Sequence, residues 1–329
     1  MGKVRWGVIS TANIGIQRVL PGMLQSEICE IAAMSSRELS KAREAADSLG
    51  IPKAYGSYED LLADPDIDAV YNPLPNHMHV DWSIKALEAG KHVLCEKPLG
   101  LNTKDARRLL DAAARYPHLK VMEAFMYRFH PQWVSAKALV EAGSIGELKA
   151  IQSFFSYDNV DPNNIRNMVD IGGGGLMDIG CYSISLSRFL YGKQPKRVLG
   201  IVERDPVMKI DRMTSGVLDF EVGTSSFTCS TQLFPYQRVQ IIGTAGRVEI
   251  EIPFNAPPDV ETRLWLHTIE GTEERTFPIC NQFKLQGDIF SKAIIEGSPV
   301  PTPLSDAIEN MTVIDSLFES ATRSAWVTL

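Results

Sequence analysis

The first 120 or so residues alternate short apolar runs with longer stretches of helical spacing. The apolar runs hardly alternate between two faces, which is typical of strands covered on both sides. Strands are predicted over residues 4–9, 29–34, 69–72, 92–95 and 119–122. Helices are predicted over 13–24, 38–49, 77–89 and 104–116, with Gly50 and Gly90 at helix C-termini. Alternating strands and helices predict an α/β fold, a doubly wound parallel Rossmann sheet.

The pattern changes after residue 122. A helix is predicted over 131–141, a strand over 149–157 and, after a long loop, a helix over 176–190. Further strands are predicted over 197–204, 214–220, 224–232, 238–243, 247–252 and 263–269, followed by helices over 284–295 and 304–324. The chain therefore divides into an N-terminal domain, 1–122, and a C-terminal α+β domain, 123–329, built on a mostly antiparallel sheet.

Charge and composition exclude several classes of protein. Lys and Arg number 33 against 40 Asp and Glu, a net charge of -7, so the chain carries no overall basic surface for nucleic acid. Its apolar runs are far shorter than the roughly 20 residues that span a bilayer. The N-terminus lacks a secretory pattern, which predicts a cytoplasmic protein. Five scattered cysteines fit neither a disulfide framework nor zinc-ligand spacing.

A nucleotide-binding turn is predicted directly after the first strand. The segment Ser10-Thr11-Ala12-Asn13-Ile14-Gly15 leads into a helix, so a helix N-terminus stands where a pyrophosphate binds in Rossmann folds. The glycine fingerprint is degenerate, because Ser10 and Ala12 occupy the first two glycine positions. Gly15 keeps the third position, which lets the helix pack on the strand. An ordinary strand-to-helix turn remains the alternative.

The end of the second strand indicates which nucleotide binds. A carboxylate that grips a ribose 2′-hydroxyl is expected there, but the sequence has Ser35-Ser36-Arg37. A hydroxyl and a guanidinium suit a 2′-phosphate, because Arg pairs with it bidentately whereas a carboxylate repels it. The sequence therefore predicts NADP rather than NAD. A serine helix cap followed by a solvated arginine is the plainer interpretation and is compatible with this role.

A lysine follows the strand 92–95, at the sheet edge where ligands bind. Lys97 in Cys95-Glu96-Lys97-Pro98 would lie close to the nicotinamide. Pro98 restricts the backbone of Lys97 to extended conformations, and a Lys97–Pro98 bond can be cis at modest cost, so the dipeptide could fix the direction of the lysine. The alternative is a surface lysine before a loop proline.

A second candidate group lies in the C-terminal domain, where the glycine run 172–175 leads into a helix. Asp178 and Tyr182 are spaced i, i+4 and so share a helix face. Tyrosine serves as an acid or base when its pKa of about 10 is lowered, and a nearby lysine ammonium does this by favouring the phenolate. The alternative is that Asp178 only stabilises the helix N-terminus while Tyr182 packs in the core.

Four motifs occur in order along the chain: Pro-Asn-His-Met-His at 75–79, Glu-Lys-Pro at 96–98, the segment 123–131 and Asn-Ile-Arg at 164–166. Together they resemble the Gfo/Idh/MocA family, the glucose-fructose oxidoreductase and inositol dehydrogenase family, over essentially the whole chain. Many members have histidine where this chain has Tyr182. That variant is similar to the branch of glucose-fructose oxidoreductase, dihydrodiol dehydrogenase, NADP-linked xylose dehydrogenases and keto-sugar reductases.

The resemblance implies NADP-dependent hydride transfer to or from a sugar, keto-sugar or vicinal diol, in a homodimer whose C-terminal domain binds substrate. It implies that Lys97 and Tyr182 are the acid-base pair and that Asp178 orients them or the substrate. The cofactor-binding residues that it implies are Ser10, Thr11, Ala12, Asn13, Ile14, Ser36, Arg37, Leu74, Asn76, His79, Glu96, Lys97 and, more weakly, Arg166. Candidate pocket residues are Phe154, Tyr157, Asn159, Asp161 and Phe234.

Three other functions fit parts of the sequence. One is a non-catalytic NADP-binding sensor, since one fold serves many functions, although the presence of Lys97, Asp178 and Tyr182 together argues against it. Another is a sugar-processing enzyme, such as an NAD-dependent glycosidase, that oxidises its substrate transiently with no net redox change. The third is an interaction protein that uses an exposed sheet face.

Overall fold

The computed structural model describes residues 2–329, which divide into two compact units. The first unit runs to Met126 and also includes Asn281–Ile308. The second comprises Tyr127–Cys280 and Glu309–Leu329. The predicted domains, 1–122 and 123–329, were assigned from the change in pattern after residue 122, and that division stays a prediction.

A six-stranded parallel sheet forms the centre of the first unit, in the order β3-β2-β1-β4-β5-β6. Its strands are β1 (Val4–Ile9), β2 (Cys29–Ser35), β3 (Lys53–Tyr55), β4 (Ala69–Asn72), β5 (His92–Cys95) and β6 (Val121–Glu123). All four residues of β4 are buried, as expected of a strand with both faces covered. Successive strands are added to one side of β1 up to β3 and to the other side from β4 onwards. This switch in strand order between β1 and β4 is where such folds place the ligand crevice, at the carboxyl ends of the strands.

Helices follow most of these strands. A π-helical turn, Gly15–Val19, continues into α1 (Leu20–Met23), and further helices are α2 (Leu39–Leu49), α3 (Tyr58–Ala63), α4 (Asn76–Glu88) and α5 (Thr103–Ala113). Ser57 and Asn102 cap α3 and α5 by accepting backbone hydrogen bonds, and Gly50 ends α2 with a φ of 70°. The sequence did not predict β3 and α3, because β3 has only three residues, all half-buried, and no apolar run.

The helix α8 (Gln282–Glu296) also belongs to the first unit, although sequence analysis assigned it to the C-terminal domain. Trp6 of β1 donates a hydrogen bond from Nε1 to Ser291 Oγ at 3.1 Å, and its ring centroid lies 5.6 Å from that of Phe290. Asn281 caps the helix and lies against Gly22, where an added Cβ would come within 2.7 Å of its Oδ1. Helical periodicity reveals an apolar face but not the sheet that the face covers.

The second unit contains a nine-stranded sheet in the order β14-β13-β12-β11-β7-β10-β9-β8-β15. Its strands are β7 (Leu148–Asp158), β8 (Arg197–Arg204), β9 (Asp211–Asp219), β10 (Thr224–Ser230), β11 (Gln232–Gly243), β12 (Gly246–Ile250), β13 (Thr262–Thr268), β14 (Gly271–Phe277) and β15 (Val327–Thr328). Only the β7–β10 pair is parallel among these strands, so the predicted mostly antiparallel sheet is confirmed. The sequence did not predict β14, which is largely exposed and charged.

Helices of the second unit include α6 (Pro131–Glu141), α7 (Cys181–Tyr191) and most of α9 (Leu304–Arg323). Short helical turns are Met126–Phe129, Ile165–Asn167, Val169–Ile171 and the π-helical turn Leu176–Gly180 that precedes α7. α9 covers one face of β8 and β9, because a Cβ added at Gly200 would lie 2.6 Å from Leu317 O. Within residues 2–329, no helix combines the length and hydrophobicity needed to cross a membrane.

Candidate active site

The turn after β1 has the backbone shape that glycine usually supplies in nucleotide-binding folds. Ser10 has a φ of 90°, in the left-handed region, and its Oγ accepts a hydrogen bond from Ala12 N at 3.3 Å. The π-helical turn Gly15–Val19 follows, so a helix N-terminus stands after β1, the position at which a pyrophosphate binds in Rossmann folds. At Gly15, an added Cβ would make ordinary contact with Tyr71 at 3.5 Å. A Cβ would therefore fit at position 15, and the role predicted for Gly15 in packing the helix on the strand stays a prediction.

The end of β2 suits a 2′-phosphate. Ser36 is buried, and its N–H donates to Tyr55 O at 3.1 Å, whereas Arg37 is exposed. The next residue, Glu38, forms an ion pair with Lys41 at 2.7 Å. The nearest following carboxylate is thus neutralised by a lysine, and the edge presents a guanidinium.

A buried polar network fixes the segment after β4. Asn72 Nδ2 donates to His79 O and to Ser83 Oγ, both at 3.1 Å, and its Oδ1 accepts from Leu74 N at 3.3 Å. The ring of His79 lies 2.6 Å from Leu74 O through Nε2 and 2.8 Å from Pro98 O through Nδ1. Burial lowers the pKa of His79 to about 4, so the ring is neutral at pH 7 and its single N–H donates to one of the two carbonyls while the ring contacts both. His79 thus ties the loop after β4 to the loop after β5.

The loop after β5 carries the predicted lysine. Glu96 Oε1 accepts a hydrogen bond from Tyr71 Oη at 2.8 Å, and Glu96 N donates to Asn72 O at 3.0 Å. Lys97 is half-buried, and the Lys97–Pro98 peptide bond is cis, one of the options named from the sequence. Asn76, the first residue of α4, follows β4, the neighbouring strand. The predicted cofactor-binding residues of the first unit therefore lie in the loops and first helical turns that follow four adjacent parallel strands.

In the second unit, Asp178 is held by two side chains. Its Oδ2 accepts from Tyr157 Oη at 2.5 Å and from Arg166 Nε at 3.1 Å. Burial and the neighbouring carboxylate raise the pKa of Tyr157, so its hydroxyl stays protonated as a donor. The negative charge of Asp178 raises the pKa of Arg166. Arg166, which sequence analysis placed among the weaker cofactor ligands, is thus an ion-pair partner of Asp178, and its predicted cofactor contact stays a prediction.

The ring of Tyr182 is packed by other aromatic rings. Its centroid lies 5.2 Å from that of Phe254 and 5.8 Å from those of Tyr127 and Phe155. Tyr127 is fixed in turn by a 2.8 Å hydrogen bond between its Oη and Ser185 Oγ. Such packing restricts the phenol ring to few orientations.

Asp178, Arg166 and Tyr182 form one cluster in the second unit. Tyr182 follows Asp178 by one helical turn, and Arg166 is bound to Asp178 by the ion pair. Asp178 lies in the π-helical turn that leads into α7, a kind of turn that is frequent at functional sites. Lys97 belongs to the first unit, and its predicted pairing with Tyr182 stays a prediction.

Two features of this cluster are not evident from the sequence. Tyr157 was named only as a candidate pocket residue, and its hydrogen bond to Asp178 joins positions that are 21 residues apart. Asp211, a buried carboxylate beside the glycine run, was missed entirely because no motif surrounds it. Phe234, another pocket candidate, is 87% exposed.

The sheet order, the turn after β1 and the Glu-Lys-Pro loop define a dinucleotide-dependent oxidoreductase. Comparison with known proteins gives the family. Residues 4–125 match the family model described as an oxidoreductase family with an NAD-binding Rossmann fold, and residues 133–249 match the GFO/IDH/MocA C-terminal domain. The chain belongs to the GFO/IDH/MocA oxidoreductase family.

Relatives match along nearly the whole chain. An uncharacterized oxidoreductase from Rhizobium meliloti is 44% identical, with 100% of both chains covered. A D-xylose 1-dehydrogenase (NADP(+)) from Haloferax volcanii is 38% identical over 98% of this chain and 99% of its own. KijD10, a 3-ketoreductase from Actinomadura kijaniata solved with NADP and TDP-benzene, is 28% identical with a TM-score of 0.90, over 97% of this chain and 98% of its own. The predicted family, fold class and enzyme class are confirmed.

Proposed function

We propose that this chain is an NADP-dependent oxidoreductase that transfers a hydride between the nicotinamide and a carbon of a sugar, keto-sugar or vicinal diol, with Lys97 and Tyr182 as its acid-base pair. The observation that carries the proposal is the cluster around Asp178. There Asp178 forms an ion pair with Arg166, and one helical turn later Tyr182 has a ring that aromatic packing restricts, in a member of an oxidoreductase family.

NADP agrees with both the residues and the relatives. The xylose dehydrogenase is named for NADP(+), and the 3-ketoreductase was solved with NADP. Here Ser36 and Arg37 would hold the 2′-phosphate, and the turn 10–14 would hold the pyrophosphate. Leu74, Asn76, His79, Glu96 and Lys97 would line the path to the nicotinamide. When bound, NADP accepts or supplies the hydride.

Side chains of this protein would accept or donate the proton that accompanies hydride transfer. A substrate hydroxyl would donate a hydrogen bond to Tyr182 Oη, which takes the proton during oxidation and returns it during reduction. The ammonium of Lys97 would favour the phenolate form of Tyr182, because an opposite charge nearby stabilises the ionised group. Asp178 would orient this pair or the substrate, since its Oδ2 is already fixed by Tyr157 and Arg166.

The same cluster supports a polyhydroxylated substrate. The Arg166 side chain remains 40% exposed despite its ion pair with Asp178, so guanidinium N–H groups are available to substrate oxygens. Sugars and diols present several hydroxyl or carbonyl oxygens to such donors. The particular sugar or diol and the direction of the reaction are open to the experiment below.

We propose a homodimer formed through the face of the nine-stranded sheet that α9 does not cover. Leu199 and Val217 are cross-strand partners there, and Ile201 is 70% exposed. Gly200, the residue between Leu199 and Ile201, faces α9 instead, so the exposed apolar side chains lie on the opposite face. Light scattering of the wild-type protein and of Ile201→Lys tests this; a dimer in both would place the interface elsewhere.

The proposed activity is tested by absorbance at the reduced-nicotinamide band. Purified protein is offered NADP and then NAD with aldoses and vicinal diols, and NADPH with keto-sugars. A signal with NADP and one substrate class supports the proposal and names the reaction. Equal use of NAD would refute the assignment of Ser36 and Arg37.

Absence of net turnover would favour one of the alternatives. An enzyme with a closed redox cycle would convert a sugar without changing the amount of free NADPH, which product analysis detects. A sensor would bind NADP and leave every substrate unchanged.

A further inference from the structure

A buried carboxylate lies beside the glycine run that leads to Asp178. Asp211, the first residue of β9, is 2% exposed. Its Oδ2 accepts hydrogen bonds from Leu176 N at 2.6 Å and from Thr214 Oγ1 at 3.1 Å. Burial raises the pKa of Asp211 to about 6, although these hydrogen bonds act in the opposite direction. The proposed proton chemistry does not use this carboxylate.

Two consecutive glycines pack against Asp211 at very short range. Gly174 has a φ of 121°, and a Cβ added there would lie 1.9 Å from Asp211 Oδ1. A Cβ added at Gly175 would lie 3.1 Å from Asp211 O. The Asp211 carboxylate therefore occupies the space that a side chain at position 174 would need. This contact, together with the positive φ, explains why residue 174 is a glycine.

Gly174 connects Asp211 to both partners of the ion pair. Its N–H donates to Arg166 O at 2.8 Å, and its carbonyl accepts from Asp178 N at 3.0 Å. Leu176, whose N–H is bound by Asp211, begins the π-helical turn that contains Asp178. The Asp211 carboxylate thus fixes the backbone of the turn that carries Asp178. It also packs on Gly174, whose N–H donates to the backbone oxygen of Arg166.

We propose that Asp211 is a positioning residue for the reaction: by accepting the Leu176 N–H and packing on Gly174, it sets the placement of Asp178 and Arg166 relative to Tyr182. The role of these three residues in the reaction rests on the proposed function. The placement of the backbone around Gly174 and Leu176 by Asp211 does not depend on the proposed function.

Two substitutions test the hydrogen-bond acceptor of Asp211. Asp211→Asn keeps an oxygen that accepts from Leu176 N, whereas Asp211→Leu keeps the branched arrangement of heavy atoms and removes the acceptor. We expect kcat of Asp211→Leu to fall by about tenfold or more, since a buried N–H is left without an acceptor and the turn rearranges. We expect kcat of Asp211→Asn to stay within about threefold, because one neutral oxygen still accepts.

Two further measurements distinguish positioning from general damage. The dissociation constant for NADPH should stay within about twofold in both variants, since the proposed cofactor site lies mostly in the first unit. Thr214→Val is the matched control, because it removes the second donor to Asp211 and leaves the Leu176 hydrogen bond in place. Its kcat should stay within about threefold of wild type.

Amide hydrogen exchange over residues 173–182 provides a readout that needs no substrate. Exchange in this segment should be faster in Asp211→Leu than in wild type, Asp211→Asn or Thr214→Val. A protein without turnover but with this exchange pattern would refute the proposed function and leave the positioning role intact. Unchanged exchange in Asp211→Leu, or equal losses of kcat in the Asn and Leu variants, would overturn the positioning role. If Asp211→Leu does not fold, Gly174→Ala, which displaces the same contact, should give the fast-exchange pattern, and wild-type exchange there would overturn the role.

Discussion

Replacement of Arg37 by alanine should reduce the affinity for NADP(H) without changing the affinity for NAD(H). Arg37 is exposed at the end of β2, so its removal should change the free energy of unfolding by no more than about 0.5 kcal/mol. A hydrogen-bonded pair with a charged partner contributes about 1.5–3 kcal/mol. The loss corresponds to a rise of roughly 10- to 150-fold in the dissociation constant for NADPH.

The assay is a titration of NADPH and NADH, followed by nucleotide fluorescence, with wild type, Arg37→Ala and Arg43→Ala. Arg43 is a suitable control because it is also an exposed arginine of the first unit, 49% exposed, and lies on α2. Only Arg37→Ala should weaken NADPH binding, and neither variant should alter NADH binding. Equal effects on both nucleotides, or no effect of Arg37→Ala, would refute the assignment of the 2′-phosphate to this arginine.

Two further predictions concern stability. Burial lowers the pKa of His130 to about 4, below the unfolded value of about 6.5, so its neutral ring stabilises the fold fully above pH 6.5 and less as the pH falls towards 4. His130→Asn keeps a side-chain acceptor that caps α6 but does not titrate. Between pH 7 and pH 4, the free energy of unfolding in urea should therefore fall in both proteins, and the fall should be about 2 kcal/mol smaller in His130→Asn than in wild type. Equal falls in the two proteins would contradict this. Asn281→Ala removes the cap of α8 and should cost about 1 kcal/mol in thermal unfolding, whereas an unchanged Tm would show that the cap is dispensable.

Local patterns in the sequence predicted much of the fold. β4 and β5 match their predicted bounds, because a buried strand in a parallel sheet is a short continuous apolar run. The elements that were missed lack that signal: β3 is three residues long and half-buried, and β14 is mostly exposed. The placement of α8 with β1 depends on contacts between distant parts of the chain, such as that between Trp6 and Ser291.

The residues of the candidate site also differ in whether a local pattern or a distant contact reveals them. Lys97 and Tyr182 stand in local motifs and were found from the sequence. Tyr157 and Asp211 act through contacts with residues 21 and 35 positions away, and no spacing rule connects such pairs. Ser10 is intermediate, because the sequence placed it at a glycine position, but only the structure shows that a serine adopts the left-handed φ there.

The most direct test of the proposed chemistry is single-turnover hydride transfer by Tyr182→Phe, followed at the reduced-nicotinamide band. Tyr191→Phe is the matched control, because Tyr191 lies on the same helix and its hydroxyl donates to a backbone oxygen, Thr224 O, at 3.1 Å. We predict that Tyr182→Phe lowers the rate by about 10²- to 10⁴-fold with NADPH binding nearly unchanged, and that Tyr191→Phe stays close to wild type. A Tyr182→Phe enzyme that transfers hydride at the wild-type rate would contradict the assignment of Tyr182 as the acid-base group.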